Sequence, residues 1–489
     1  MIKDLKYVSP ESEGINSKDI LEFIRAVEYN KINLHSFIMV RNGNIVAEGY
    51  FKNFDENFKH RLYSSTKTFL AVAIGMLIDQ GVFTLKTKIV NYLKPYIYTD
   101  IPKEIKDITI EDCLTMSTCM RGNTVPPRDR FKWVEMYLNN AIIPRPNGIY
   151  FEYGAGANLL GAVVEGATGK TFIDVLRPLF DELGMAKDIW CVKGKEGYCW
   201  GGSGVVCSLR DYAKFGEFVL NKGKINGKQY ISKSYMDKMT SPMHPSVKAN
   251  NYSPIMGEGY GYFTWITPDG YALCGMGSQE CFCFKKKNFM FACQADTCAP
   301  NDIADSRLYN MVKFLVYDKI GRVKKEGKDY KLLQEKLKNL NPPTYGKTYS
   351  KYEPKINGKV FELKENTMGW KWVKFDINGD NSTFTFENAR GVKTIKCGMG
   401  NLVKGTFPET NYYDKQAGVP ANRELDCFGA IEWVGEKQLL LRVYVVDIPL
   451  GNMFVNFAFK GDVLYVNSTA IGEFLFYDYG GIAGGKLKK

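Results

Sequence analysis

Leu62-Tyr63-Ser64-Ser65-Thr66-Lys67-Thr68-Phe69 opens an apolar run that continues to Ile78. A helix starting here places Ser64 and Lys67, three residues apart, on one face. The run behind them is apolar nearly all round, so the helix should be buried. A lysine at the start of a buried helix is poorly solvated, and desolvation lowers its pKa towards the neutral amine. A neutral amine beside a hydroxyl can make a nucleophile without histidine. On spacing alone, Ser64 reads equally well as an ordinary helix N-cap.

The chain of 489 residues is long enough for about two or three domains, each with its own core. Thirty Tyr and thirty Phe argue against intrinsic disorder. The longest strongly apolar run, about ten residues, is too short to span a bilayer. Met1-Ile2-Lys3-Asp4-Leu5-Lys6-Tyr7 has no stretch resembling a secretion signal, so the expectation is a cytoplasmic protein. Twelve cysteines run from Cys113 to Cys427 without a Cys-x-x-Cys pair, and they read as reduced core residues. Cys281-Phe282-Cys283 has the wrong spacing and too few ligands for a tetrahedral metal site. The net charge of +12 is spread along the chain in short, mixed clusters with no nucleic-acid module, so no nucleic-acid partner is expected.

Residues 35–51 read as a hairpin turning at Asn42-Gly43. The buried helix, about 65–80, stops at Gly81. Residues of about 82–245 are mostly helical in pattern, with Pro- and Gly-rich loops. Strand-like runs return at 259–266, 271–274, 280–284 and 288–295, and a helical stretch at 303–317 closes the unit. N-terminal and late strands sharing a sheet, with helices inserted between them, is an α+β layout. Residues 323–345 read as a linker with an amphipathic segment ended by Asn341-Pro342-Pro343. The division is therefore 1–322, 323–345 and 346–489. In the last part, Thr383-Phe384-Thr385-Phe386, 439–446 and 453–459 read as strands, and Lys460-Gly461-Asp462 as a tight turn. That pattern predicts an antiparallel β-barrel or sandwich.

Only His35, His60 and His244 exist, and Gly201-Gly202-Ser203-Gly204-Val205 fails the Gly-x-Ser-x-Gly elbow at its last position. A Ser-His-Asp hydrolase is therefore disfavoured. Gly169-Lys170-Thr171 lacks the glycine a phosphate loop needs, because positions 164 and 165 hold Val164 and Glu165. The segment instead ends one helix and caps the next.

The Leu62-to-Phe69 stretch resembles the first motif of the serine β-lactamase and penicillin-binding-protein superfamily, in particular its class C-related esterase and amidase branch. Three further stretches resemble that branch in order. They are Ile108-Thr109-Ile110-Glu111-Asp112-Cys113-Leu114-Thr115-Met116-Ser117-Thr118, then Phe151-Glu152-Tyr153-Gly154-Ala155-Gly156-Ala157-Asn158-Leu159-Leu160-Gly161, then 201–212. The resemblance covers about residues 8–320. The resemblance implies a β-lactamase/transpeptidase-like fold, with an antiparallel sheet flanked by helices and an all-helical subdomain of about 82–245. It implies Ser64 as the acylated nucleophile, Lys67 as its base or proton relay, and Tyr153 as a second base passing a proton to the leaving group. A phenol can do that near neutrality only if a cation stabilises its phenolate.

Two positions depart from the family pattern. Ala155 stands where Asn or Ser is common, and Leu273 where the edge-strand motif often begins with Lys or His. With Leu273-Cys274-Gly275 as that motif, Ala155, Cys274 and Gly275 become substrate-binding positions. The N–H groups of Ser64 and Met276 would form the oxyanion hole. Losing the cation disfavours carboxylate-terminated or penicillin-like substrates and leaves small esters or amides. The expectation is a serine hydrolase of a small-molecule substrate with no metal or organic cofactor and no membrane partner. A homo-oligomer is left open. The rivals are a D-aminopeptidase or DD-carboxypeptidase on the same fold, and a non-catalytic ligand-binding or assembly protein.

Overall fold

The computed structural model describes residues 5–120, 133–139, 145–154, 156–194, 196–244, 255–298, 304–323, 325–409, 424–472 and 478–489. The core of the first part is a sheet ordered Lys6–Tyr7, Asn44–Tyr50, Leu34–Arg41, Phe289–Ala295, Gln279–Phe284, Gly270–Gly275 and Trp265–Thr267. The Leu34–Arg41 and Asn44–Tyr50 strands form the expected hairpin, with Asn42 and Gly43 both at positive φ. Phe289–Ala295 pairs antiparallel with Leu34–Arg41, so N-terminal and late strands share one sheet. The expected strand at 259–266 is shorter, beginning only at Trp265. Gly259 (φ 115°) and Phe263 (φ 52°) leave the extended region and break the run.

Helix Thr66–Asp79 is buried along nearly its whole length, as its unbroken apolar pattern requires. It is surrounded by helices inserted between the two halves of the sheet, among them Gly156–Thr168, Phe172–Glu182, Leu209–Leu220 and Lys233–Met239. Thr171 caps Phe172–Glu182 through a reciprocal box with Asp174. The segment that mimics a phosphate loop is thus a helix junction. None of the helices among the described residues is long and apolar enough to cross a membrane.

Within the segment read as a linker, helix Lys328–Lys338 buries Leu333, and its Lys336 pairs with Glu28 of helix Ser17–Tyr29. Beyond it, nine strands among the described residues form a closed ring. They run from Gly391–Met399 through Ser382–Asn388, Trp372–Asp376, Val360–Leu363, Gly481–Leu487, Val463–Gly472, Leu450–Lys460 and Gln438–Val446 to Leu425–Gly435. Parallel pairing of Gly398 with Ala430 and Met399 with Ile431 closes it, which makes the unit a barrel rather than a sandwich. Phe375, Phe384, Phe386 and Phe457 pack inside as a filled core.

The barrel docks on the first part through Leu402, Phe428, Ala430, Tyr444, Val446 and Leu450, which cluster with Tyr63. Asn452 on the barrel donates to Asp296 Oδ1 (3.1 Å) and to the Cys298 carbonyl. Asp296 is buried, and burial pushes its carboxyl up from 3.8 to about 6. The folded chain therefore binds a proton that the unfolded chain releases between about pH 4 and 6, and stability drops as pH rises through that window. Asp296→Asn keeps the Oδ1 acceptor and removes the charge. It should be more stable than the parent by about 1–2 kcal/mol at pH 8, with the gain roughly halved at pH 5. Urea midpoints of parent and variant at the two pH values check this.

Candidate active site

The segment before helix Thr66–Asp79 is held on three sides. The Leu62 N–H donates to the Val205 carbonyl (2.8 Å) and the Val205 N–H to Thr66 Oγ1 (2.9 Å). Ser65 Oγ donates to the Gln279 carbonyl (2.8 Å), and Tyr212 Oη donates to Ser65 Oγ (2.8 Å) and the Leu273 carbonyl (3.2 Å). The helix start is thereby pinned to the two strands at the end of which Met276 lies. Ser64 follows Tyr63, whose φ of 48° is left-handed.

On the first helical turn, Lys67 Nζ lies 2.8 Å from Ser64 Oγ and donates to the Gly202 carbonyl at 2.8 Å. Lys67 is 5 % exposed, and desolvation alone pulls its amine down from 10.5 to about 7. The third predicted group is present as well. The Tyr153 hydroxyl interacts with Ser64, and Lys67 Nζ sits 4.7 Å from the centre of its ring. Burial pushes the phenol above its ordinary value, an effect that the neighbouring Ser64 hydroxyl partly offsets. The ring stacks on Trp265 at 5.5 Å, with the edge of Tyr260 6.2 Å away. In the resting site an amine that loses its proton near pH 7 and a protonated phenol therefore flank one serine hydroxyl.

Gly275 ends strand Gly270–Gly275, which Trp265–Thr267 flanks over its first half, hard against the Leu62 carbonyl, where any side chain would collide, so a glycine is required. Met276 follows, 40 % exposed, and Cys274 is half-buried. The predicted edge-strand positions thus lie beside the nucleophile's segment. Leu273 is buried and brings no cation. Ala155 lies outside the described residues. All twelve cysteines are free thiols, and Cys281 and Cys283 face each other at 3.9 Å. Among the described residues no group of three or more His, Cys, Asp or Glu could hold a metal.

Sequence reasoning missed the Gly202 carbonyl, the stacking of Trp265 on Tyr153, and the bridging role of Tyr212. Gly202 and Tyr212 lie inside the quoted 201–212 stretch, but a main-chain acceptor carries no side-chain signature. Trp265 gave no signal, because its ring contact crosses more than a hundred residues of chain.

A beta-lactamase family model matches residues 31–292. Among curated proteins, the chain is 24 % identical over 221 residues to the 6-aminohexanoate-dimer hydrolase of Paenarthrobacter ureafaciens, covering 42 % of this chain and 56 % of that one. The match thus spans little more than half of that hydrolase. An uncharacterised protein of Alkalihalophilus pseudofirmus is 23 % identical over 261 residues, 48 % of this chain and 70 % of its own length. Among solved structures, EstCE1, described as a hydrolase with promiscuous acyltransferase activity, superposes with a TM-score of 0.50 at 14 % identity, over 62 % of this chain and 99 % of its own. The family match runs from just before the first hairpin strand into the last strand of the central sheet and takes in more than half of the residues, so this chain belongs to the beta-lactamase family.

Proposed function

We propose that this protein is a serine hydrolase acting on a small ester or amide through an acyl-enzyme on Ser64. The observation that carries the reading is the 2.8 Å approach of Lys67 Nζ to Ser64 Oγ, made by an amine whose burial holds it near neutrality. Lys67 in its neutral form takes the proton as Ser64 Oγ attacks the substrate carbonyl. Tyr153, protonated at rest beside Ser64, delivers a proton to the leaving group. The N–H groups of Ser64 and Met276 receive the developing oxyanion. Water then attacks the acyl carbon, with the same pair working in reverse.

The substrate class follows from what the strand Gly270–Gly275 lacks. Leu273-Cys274-Gly275 offers no cation for a substrate carboxylate. A carbonyl compound with an uncharged or aromatic acyl group suits the Tyr153–Trp265–Tyr260 wall better.

A panel of p-nitrophenyl esters, D-amino-acid p-nitroanilides and nitrocefin tests the assignment. Ester turnover should exceed nitrocefin turnover by at least about a hundredfold, the difference expected when productive binding of a carboxylate is lost. Folded protein that turns over none of the three would contradict the hydrolase reading. A preference for the D-amino-acid amides would shift it to a peptidase on the same fold.

A further inference from the structure

The barrel reaches the catalytic groups at two points, both on the tight turn at residues 447–450 between strands Gln438–Val446 and Leu450–Lys460. At the first, the Leu450 N–H donates to Tyr63 Oη at 2.6 Å. Tyr63 immediately precedes Ser64, is buried, and holds a left-handed backbone. A bulky residue persists in that conformation only where its surroundings over-determine it. At the second, the Ile448 carbonyl accepts from Arg61 Nη1 at 3.5 Å. The same guanidinium donates to the Ser203 carbonyl and Ser203 Oγ, both at 2.8 Å, and lies 4.4 Å from the rings of Tyr63 and Trp200. Ser203 follows Gly202, the carbonyl that receives Lys67 Nζ. Leu450 also packs beside Gly277, next to Met276, where an added Cβ would come within 2.8 Å of Leu450 Cδ1.

One turn of the barrel therefore touches the residue before the nucleophile, the loop that orients the lysine, and the turn that carries Met276. We propose that the C-terminal barrel is part of the catalytic machinery as a positioning element. Its 447–450 turn, acting through Tyr63 and Arg61, holds Ser64 and Lys67 in register. The inference rests on acylation of Ser64. A barrel that merely adheres would need only the apolar contacts around Phe428 and Leu402, and no polar strut to the residue beside the nucleophile.

Saturation kinetics of a fluorophosphonate probe on the full-length chain separate these cases, with the adduct mapped by peptide mass spectrometry. Tyr63→Phe keeps the ring and deletes the acceptor of the Leu450 N–H. Its maximal inactivation rate should fall about tenfold while the half-saturating concentration holds, as expected for a nucleophile displaced by a fraction of an ångström. Two glycines inserted between Ile448 and Pro449 release both struts of this buried turn and, with folding checked by circular dichroism, should lower the maximal rate at least as far. Asn452→Ala loosens the same interface away from the struts and should leave the rate within about twofold, since it touches neither anchor. Parent-like maximal rates in both Tyr63→Phe and the insertion, with the parent labelled at Ser64, would overturn the positioning role alone. A rise in half-saturation with an unchanged maximal rate would also overturn it, making the turn a substrate wall. A folded parent that takes no label at Ser64 would remove the acyl-enzyme reading and this inference with it.

Discussion

Ser64→Ala is expected to lower ester turnover by about a thousandfold or more, leaving only the residual rate that binding and the oxyanion donors sustain. The physical reason lies in the geometry. Lys67 Nζ and the Tyr153 hydroxyl both converge on Ser64 Oγ, so removing that oxygen leaves a base and an acid with nothing to act on. Neither His35 nor His60 stands in the arrangement to activate a water in its place. His35 and His60 are buried against each other, with Nδ1 of the first 3.3 Å from Nε2 of the second. The variant should fold as the parent does, because Ser65, not Ser64, makes the hydrogen bonds that anchor the helix to the sheet. Steady-state rates for parent and variant, with matching circular dichroism spectra, provide the check. A variant retaining more than about a tenth of the parent rate would contradict the nucleophile assignment.

The second large effect is at Lys67, and its signature is a dependence on pH. An amine that must be neutral to accept the Ser64 proton gives a rate that rises with pH and levels off above its pKa. The acid limb of kcat/KM should therefore bend near pH 7, where burial places this amine. Lys67→Arg keeps a cation but a guanidinium does not deprotonate, so the rate should fall by about a thousandfold across the whole range. Stability should depend on pH as well. The folded chain refuses a proton that the unfolded lysine keeps up to about 10.5, so the buried amine costs stability below pH 7 and the cost fades as pH rises to 10.5. Lys67→Met should accordingly be inactive yet more stable than the parent by about 2 kcal/mol at pH 7, with the gain shrinking towards pH 10. Such a gain from losing a functional side chain marks a group retained for chemistry rather than for packing.

How much of this was legible beforehand depends on how local each feature is. The helix Thr66–Asp79 could be read because an all-apolar run has one stable environment, the interior. The pairing of Ser64 with Lys67 followed from helical spacing, and Tyr153 from the ordered stretches around it. The strand expected at 259–266 was overrun by Gly259 and Phe263, whose positive φ values no propensity announces in a tyrosine- and glycine-rich stretch. Barrel or sandwich could not be decided either. Closure depends on two parallel pairs, Gly398 with Ala430 and Met399 with Ile431, joined across thirty-two residues of chain. The same holds for the barrel turn. Ile448-Pro449-Leu450 reads as an ordinary hairpin end, and only the folded chain brings Leu450 to Tyr63 over a separation of 387 residues.

The central claim is a covalent acyl group on Ser64, and rapid acid quenching during turnover of a p-nitrophenyl ester tests it most directly. Trypsin cuts after Arg61 and Lys67, so the nucleophile is released in the six-residue peptide 62–67. This peptide should carry the acyl mass within the first turnover, and fragmentation should place it on Ser64, not on Ser65 or Thr66. Continuing turnover with that peptide unmodified, or with the acyl group on another residue, would contradict it.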